Sequence, residues 1–303
     1  MSSQIEVIIN QGSGTANGAD DIKIEVEEAF KTHNLEARVS VAESGDDLMK
    51  FAESAAKSGA EIICAGGGDG TISAVASKLV GTEKALGVLP LGTLNHFSKD
   101  LRISAELSDA VKIIAENRIQ LVDVAEVNGQ TFINNSSIGL YPHIVKRREK
   151  QQHLGKGKWS AAFWAATSVL RLYPFLNIKL LIEGEEIRRR TPFVFIGNNE
   201  YDMDSFNIGG RKTLQDGKLS VYVLHRTGRW GLVRLALRSV FGRLRQAKDF
   251  ETFCTDELTI ETHHKKLLVA FDGEVSRMQT PLCYKIIPKS LRVLVPMPNE
   301  ESV

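Results

Sequence analysis

Ile62-Ile63-Cys64-Ala65-Gly66-Gly67-Gly68-Asp69-Gly70-Thr71-Ile72-Ser73 is the stretch on which the fold turns. Its apolar, β-branched opening predicts a buried strand ending at Ala65. Glycines at 66, 67, 68 and 70 then surround Asp69, and Thr71 opens an amphipathic stretch to Leu79 that predicts a helix. Strand, glycine turn and helix start make a phosphate-binding geometry. Glycine allows left-handed angles and close approach to an anion, and free N–H groups at a helix start favour negative charge. A merely tight connection would also use glycines. A carboxylate among those amides tips the reading toward a nearby metal ion or reacting hydroxyl.

The flanking sequence repeats the same grammar. Strands are expected at Ile5–Asn10, Glu36–Val41 and Ala85–Leu89, and helices at about Asp20–Thr32 and Asp46–Lys57. Strands alternating with helices of this length imply βαβ units and a parallel sheet, hence the α/β class. Ligands on such sheets bind beyond the carboxyl ends of the strands. Three polar, glycine-bearing loops leave those ends: Asn10–Gly14, Gly66–Thr71 and Pro90-Leu91-Gly92-Thr93-Leu94-Asn95. They are expected to converge on one crevice. Walker A chemistry is excluded because no lysine follows Gly70. A dinucleotide fingerprint after the first strand would need glycine where Asn17 stands, and protein-kinase signatures are missing.

From about Asp123 many short β-like runs replace the alternation. Leu121–Val127, an Asn128-Gly129 turn and Thr131–Asn135 read as a hairpin. Further runs lie at 177–182, 193–197, 219–224, 258–261, 267–271, 283–287 and 291–295. They predict a sandwich or barrel-like second domain. The expected division is an α/β domain over 1–122 and a β-sandwich domain over 123–303, the last strand being free to return to the first.

The composition is that of a soluble globular protein, 43% hydrophobic and 25% charged over 303 residues. A formal net charge of +1 gives no global field for nucleic acid. Cys64, Cys254 and Cys283 are far apart, with no CxxC pair, so reduced thiols in a cytoplasmic protein are expected. No signal peptide is visible, and Trp159–Leu172 is too short for the roughly 20 residues of a membrane-spanning helix.

Three ordered motifs then match a family. Gly66-Gly67-Gly68-Asp69-Gly70-Thr71, Pro90-Leu91-Gly92-Thr93-Leu94-Asn95-His96-Phe97 and Phe271-Asp272-Gly273-Glu274 closely resemble the diacylglycerol kinase catalytic family. This is a family of lipid kinases that includes soluble bacterial diacylglycerol kinases and sphingosine kinases and is related to NAD kinases. The resemblance extends over Asp123–Gly139 and from Gly197-Asn198-Asn199 through Asp216-Gly217. It implies an α/β nucleotide-binding domain joined to a β-sandwich domain, with ATP in the cleft between them. It places ATP phosphates on Gly66, Gly67, Gly68, Asp69, Gly70 and Thr71, with Asn10, Gly12, Ser13, Gly14, Thr93 and Asn95 nearby. It puts Asp272 and Glu274 on the catalytic acidic motif, and a structural magnesium (Mg2+) at Asp216 with the carbonyls of Thr213 and Lys218. Two positions depart from the pattern. Gln11 replaces a proline, and His96 stands where many members have an aspartate linked to a magnesium–water network; Asp100, four residues on, could substitute.

Phosphoryl transfer depends mainly on positioning and charge neutralisation, and an alcohol acceptor must also lose its proton. Asp69, Asp272 and Glu274 are the available carboxylates. Asp-Gly is also a favoured hairpin dipeptide, but the other two motifs favour Asp272 and Glu274 for proton acceptance and metal positioning, and Asp69 for the metal–phosphate network. On this reading Asp272→Asn abolishes turnover while ATP binding persists. Asp216 could equally sit in a turn, His96 in a polar loop, and His263-His264 beside a strand.

Two basic stretches, 146–158 and 229–248, interleave cations with apolar residues. They suit either an ordinary surface or an anionic membrane interface. The expected activity is ATP-dependent phosphorylation of a neutral lipid alcohol, foremost diacylglycerol, by a cytoplasmic protein visiting the membrane. A sphingoid base or another hydroxyl acceptor is the alternative, as is a low-turnover nucleotide-binding adaptor. A homodimer is compatible with the sequence, and nucleic acid is not an expected partner.

Overall fold

A computed structural model describes residues 5–12, 19–140, 142, 175–201, 210–211, 213–224 and 250–298. The chain divides into two units, Met1–Val124 with Thr213–Gln215 and Ile287–Val303, and Ala125–Lys212 with Asp216–Ile286. The expected division at 122 falls within the strand Ile119–Val127, and the expectation left the last strand free to return. Residues 123–124 and 213–215, and the chain from Ile287 onward, belong to the first unit. The reason is that two strands, β5 (Ile119–Val127) and β16 (Leu282–Leu294), each begin in one unit and end in the other.

The first unit alternates β1 (Ile5–Asn10), α1 (Ala19–Thr32), β2 (Ala37–Ala42), α2 (Gly45–Lys57), β3 (Ile62–Gly66), α3 (Asp69–Leu79) and β4 (Ala85–Leu89), followed by α4 (His96–Asp100) and α5 (Leu107–Glu116). Its sheet runs β2-β1-β3-β4-β16, parallel throughout. Strands β3 and β4 are buried at every position, as strands covered on both faces require. Fully buried Val26 and Phe30 of α1, Ala52 of α2, and Ile72, Val75 and Leu79 of α3 belong to this unit's core. The chain leaves β1 for β2 on one side and returns to β3 on the other, so the order reverses between β1 and β3. Such a switch point is where open α/β sheets receive ligands.

In the second unit, β6 (Gln130–Phe132) pairs with the end of β5 across a turn in which Asn128 and Gly129 both have positive φ, 47° and 84°. One antiparallel sheet contains β9 (Glu185–Thr191), β8 (Leu176–Ile182), β13 (Glu257–Thr262) and the start of β16. The other runs β12 (Phe250–Thr255), β11 (Leu219–Leu224), β10 (Phe193–Asn198), β7 (Asn135–Gly139), β14 (Lys266–Phe271) and β15 (Glu274–Gln279). Ile178, Leu180, Leu258, Ile260 and Tyr284 from the first sheet share one apolar cluster with Ile138, Val194, Ile196, Val221 and Val269 from the second. That shared core makes the unit a β-sandwich.

No helix among the described residues is long and apolar enough to cross a membrane. The stretch Trp159–Leu172 and both basic stretches lie outside the described residues.

Candidate active site

Helix α3 begins at Asp69, two residues before the expected start, so Asp69, Gly70 and Thr71 form its first turn. Its cap residue, Gly68, makes no side-chain hydrogen bond to the helix. The first N–H groups of a helix have no intrahelical acceptor, and here no side chain of the cap takes one. The glycines are explained by crowding more than by left-handed geometry. A Cβ on Gly67 would lie 2.5 Å from Thr71 Oγ1, and one on Gly66 would lie 3.1 Å from the Ile9 side chain.

Three loops are tied into one cradle. Asn10 Nδ2 donates to Thr71 Oγ1 at 3.2 Å, and Asn10 Oδ1 accepts the Gly12 amide at 3.1 Å. The Gly67 amide donates to the Leu89 carbonyl at 3.1 Å. Asp69 spends both carboxylate oxygens on the start of α4, Oδ2 accepting the His96 amide at 3.1 Å and Oδ1 the Phe97 amide at 3.0 Å. Its visible work is thus to fasten the glycine loop to the loop that follows β4.

Asn95 ends that loop in the left-handed region, φ 50°. Its Nδ2 donates to the carbonyls of Pro90 and Gly92 at 3.0 and 2.8 Å, which fixes the amide's orientation. Oδ1 is buried with no hydrogen-bond partner among the described residues. Such an orphaned acceptor is what a ligand's hydroxyl or amine would satisfy. Thr93 is exposed beside it, and His96 and Asp100 are the first and last residues of α4. Ser13 and Gly14, expected near the phosphates, lie outside the described residues.

Asp272 and Gly273 form the two-residue turn between β14 and β15, with φ 46° and 90°. Positive φ at both positions is the type I′ hairpin that Asp-Gly favours. The Asp272 side chain is buried and accepts three consecutive backbone amides. Oδ2 takes Ile133 at 2.7 Å; Oδ1 takes Asn134 at 2.9 Å and Asn135 at 3.1 Å. Three N–H donors match an ionised, acceptor-only carboxylate. Glu274, first in β15, is exposed. The turn thus gives the two acids different environments: one is committed to backbone, the other faces solvent.

At the expected magnesium position, the Asp216 amide donates to Asn199 Oδ1 at 3.1 Å, and the Lys218 carbonyl accepts the Asn199 amide at 3.0 Å. Both Asp216 and Lys218 carbonyl are oxygen donors of the kind a hard cation takes. Thr213 belongs to the first unit, where its Oγ1 accepts the Gln215 amide at 3.1 Å. Among the described residues no three His, Cys, Asp or Glu side chains gather to hold a metal ion. Burial pushes the Cys64 thiol well above its ordinary range, as expected of an inert core cysteine. His263 and His264 are exposed in the bend after β13, beside a strand as anticipated.

No sequence signal marks Arg211, which is buried and donates to the carbonyls of Ile133 and Asn198 and to the Asn134 side chain. Its setting, Gly209-Gly210-Arg211-Lys212, reads as a basic surface loop, and no motif signals burial there.

A parallel α/β unit with an uncapped, glycine-lined helix start at its switch point, followed by a β-sandwich, is the class of protein that fold and site define. Comparison with known families narrows it. Residues 4–127 match the diacylglycerol kinase catalytic domain, and residues 141–295 match the YegS C-terminal NAD kinase beta sandwich-like domain. The chain belongs to this diacylglycerol kinase-like family of lipid kinases. A Staphylococcus haemolyticus protein provisionally named a lipid kinase is 25% identical over 91% of both chains. A Klebsiella pneumoniae protein named as a YegS-like lipid kinase is 37% identical over 38% of this chain and 40% of its own length. A solved structure titled as a diacylglycerol kinase from Bacillus anthracis superposes with a TM-score of 0.73 over 99% of both chains at 22% identity, a likeness of fold.

Proposed function

We propose that the chain transfers the γ-phosphoryl group of MgATP to the hydroxyl of a neutral lipid, with diacylglycerol as the first candidate. The observation that carries this reading is the interlocked cradle around the α3 start: a helix start without a side-chain cap, in loops fastened by the Asn10–Thr71 and Asp69–His96 hydrogen bonds. Amide donors at a helix start stabilise phosphate charge without reorganising during the reaction. The acceptor oxygen forms a bond to the γ-phosphorus as the bond to the ADP oxygen breaks, and the hydroxyl proton passes to a carboxylate.

Of the three carboxylates, Glu274 is our choice as proton acceptor. Asp69 and Asp272 both direct their oxygens to backbone amides, and Glu274 is exposed. Asp69 and Asp272 then keep the loops in register. Asp216, with the Lys218 carbonyl, is proposed to hold a structural magnesium. The basic stretches 146–158 and 229–248 are proposed to meet an anionic membrane, each cation near the surface adding about 1 kcal/mol. Liposome binding that rises with anionic lipid and falls with salt is the expected result; binding indifferent to both would remove that part.

The deciding experiment is transfer of labelled phosphate from ATP to a panel containing diacylglycerol, other glycerolipids and sphingoid bases. Diacylglycerol is expected to be the best acceptor. ATP binding without transfer to any member would instead favour a nucleotide-binding adaptor.

A further inference from the structure

Arg211 reaches the same backbone that Asp272 holds, but from its other side. Arg211 is only 8% exposed; its Nη1 donates to the carbonyls of Ile133 at 2.6 Å and Asn198 at 3.1 Å, and Nη2 to Asn134 Oδ1 at 2.9 Å. Its central carbon lies 5.6 Å from the centre of the Tyr201 ring. The Ile133 carbonyl and the Asn134 N–H belong to one peptide group. That peptide therefore presents its oxygen to a guanidinium and its N–H to the Asp272 carboxylate.

A peptide group carries a dipole of about 3.5 D, and here its negative end meets the cation and its positive end the anion. Burying either charge alone would be costly. Joined through one polarised peptide, each offsets the desolvation of the other, and hydrogen bonds in such a chain strengthen one another. Neighbouring bonds hold the segment further. The Asn198 amide and the Tyr201 hydroxyl both reach the Asn134 carbonyl, at 2.9 Å each, and the Asp272 amide donates to the Asn135 carbonyl at 2.9 Å.

We propose that Arg211 is a positioning residue that acts through the Ile133–Asn134 peptide to hold Asp272, and hence the turn from which Glu274 starts β15. Its consequence for turnover rests on the reading of Glu274 given above. Removing the guanidinium frees the peptide, loosens the carboxylate's three amides and lets the hairpin turn drift.

The test uses the full-length protein with Arg211→Lys, Arg211→Met, Asp272→Asn and the Arg211→Met/Asp272→Asn double variant. Amide hydrogen exchange and NMR shifts at Ile133, Asn134 and Asn135 report the clamp without any assay of turnover. We expect exchange at these amides to quicken tenfold or more in Arg211→Met and in Asp272→Asn, less in Arg211→Lys, and no further in the double variant. Phosphoryl transfer should lose tenfold or more in kcat with KM for ATP unchanged, partly rescued by lysine, and the pH profile of kcat should shift. If Arg211→Met does not fold, Arg211→Lys carries the test, its Asn134 amide shift and exchange departing from the parent protein's. Parent-like exchange and shifts in folded Arg211 variants would overturn the proposal, as would independent, multiplying effects in the double variant. Coupled exchange in a protein that phosphorylates no lipid would uphold the clamp and overturn the reading of the site.

Discussion

Gly68 and Gly92 meet backbone to backbone: a methyl group added to Gly92 would lie 2.4 Å from the Gly68 Cα and 2.8 Å from Asn95 Oδ1. The loop after β4 can therefore sit against the loop after β3 only while residue 92 lacks a side chain. This contact, together with Asp69, ties two separate crossovers into one cradle.

Gly92→Ala should accordingly damage ATP binding before it damages the fold. Forcing a methyl into backbone contact costs about 1–3 kcal/mol and shifts the chain. We expect the Kd for ATP to rise tenfold or more, measured by calorimetry, with a lowered melting temperature. Gly45→Ala is the control, since a Cβ there meets nothing within 4 Å and should leave the melting temperature unchanged or slightly raised.

Asp69→Ala should free the first turn of α4. Loss of a helix-capping acceptor costs about 0.5–2 kcal/mol. Hydrogen exchange at the His96 and Phe97 amides should quicken, and ATP affinity should fall with it. Unchanged protection at those two amides would contradict the capping role.

Glu274→Gln and Asp272→Asn should separate chemistry from architecture. Glu274→Gln is expected to lose about 10²–10⁴-fold in kcat, the usual contribution of a positioned proton acceptor, with an unaltered melt. Asp272→Asn should lose both activity and melting temperature, because an amide cannot accept all three backbone N–H groups as a carboxylate does. Near-normal turnover in Glu274→Gln would transfer the proton to another group.

Stability should decline in alkali from two buried groups. Burial raises both the Cys64 thiol and the Tyr284 phenol above their ordinary values. Each stays protonated in the folded chain after it has ionised in the unfolded one, so the stabilising contribution is complete below the unfolded pKa and diminishes as pH rises. The loss begins near pH 9 for the thiol and near pH 10 for the phenol, at about 1.4 kcal/mol per pH unit for each group. Denaturant titrations from pH 8 to 11 should show this slope, reduced in Cys64→Ala above pH 9 and in Tyr284→Phe above pH 10. At neutral pH Tyr284→Phe should cost only about 0.5–1.5 kcal/mol. Its partner Ser136 Oγ, 3.2 Å away, keeps a second bond to the Ala270 carbonyl at 2.9 Å.

The alternating half of the chain was legible because buried parallel strands are nearly continuous apolar runs; β1 and β4 match their expected limits. Of the strands that escaped the sequence, β9, β12 and β15 are outermost in their sheets, whereas β7 lies inside its sheet and was hidden by its polar Asn135-Ser136-Ser137 start, just past the run expected to end at Asn135. Edge strands are kept from pairing with other chains by charge and polarity. Thus β9 reads Glu185-Glu186-Ile187-Arg188-Arg189-Arg190-Thr191, with Ile187 alone packing on the core from the middle of that run. Helix α5 has the apolar spacing of an amphipathic helix but a start, Glu106, without a side-chain cap. The two runs expected at 283–287 and 291–295 are one strand, β16, that bends after Pro288, where Lys289 takes φ 49° and its amide reaches Asp123 Oδ1 at 2.8 Å. At the site, the three loops and their residue types were readable from motifs. The partners of Asp69 and Asp272 were not, since backbone amides have no letter in the sequence. Arg211 was hidden for the same reason, because its acceptors are mostly carbonyls.

Because β16 completes the parallel sheet beside β4, vectorial synthesis imposes an order on assembly. A ribosome will have delivered β1–β4 and all of the sandwich strands through β15 before the last parallel strand emerges. The domain begun first is the one finished last. Released chains truncated after residue 286 should hold a nearly complete sandwich and an open parallel edge, the natural footing for a chaperone.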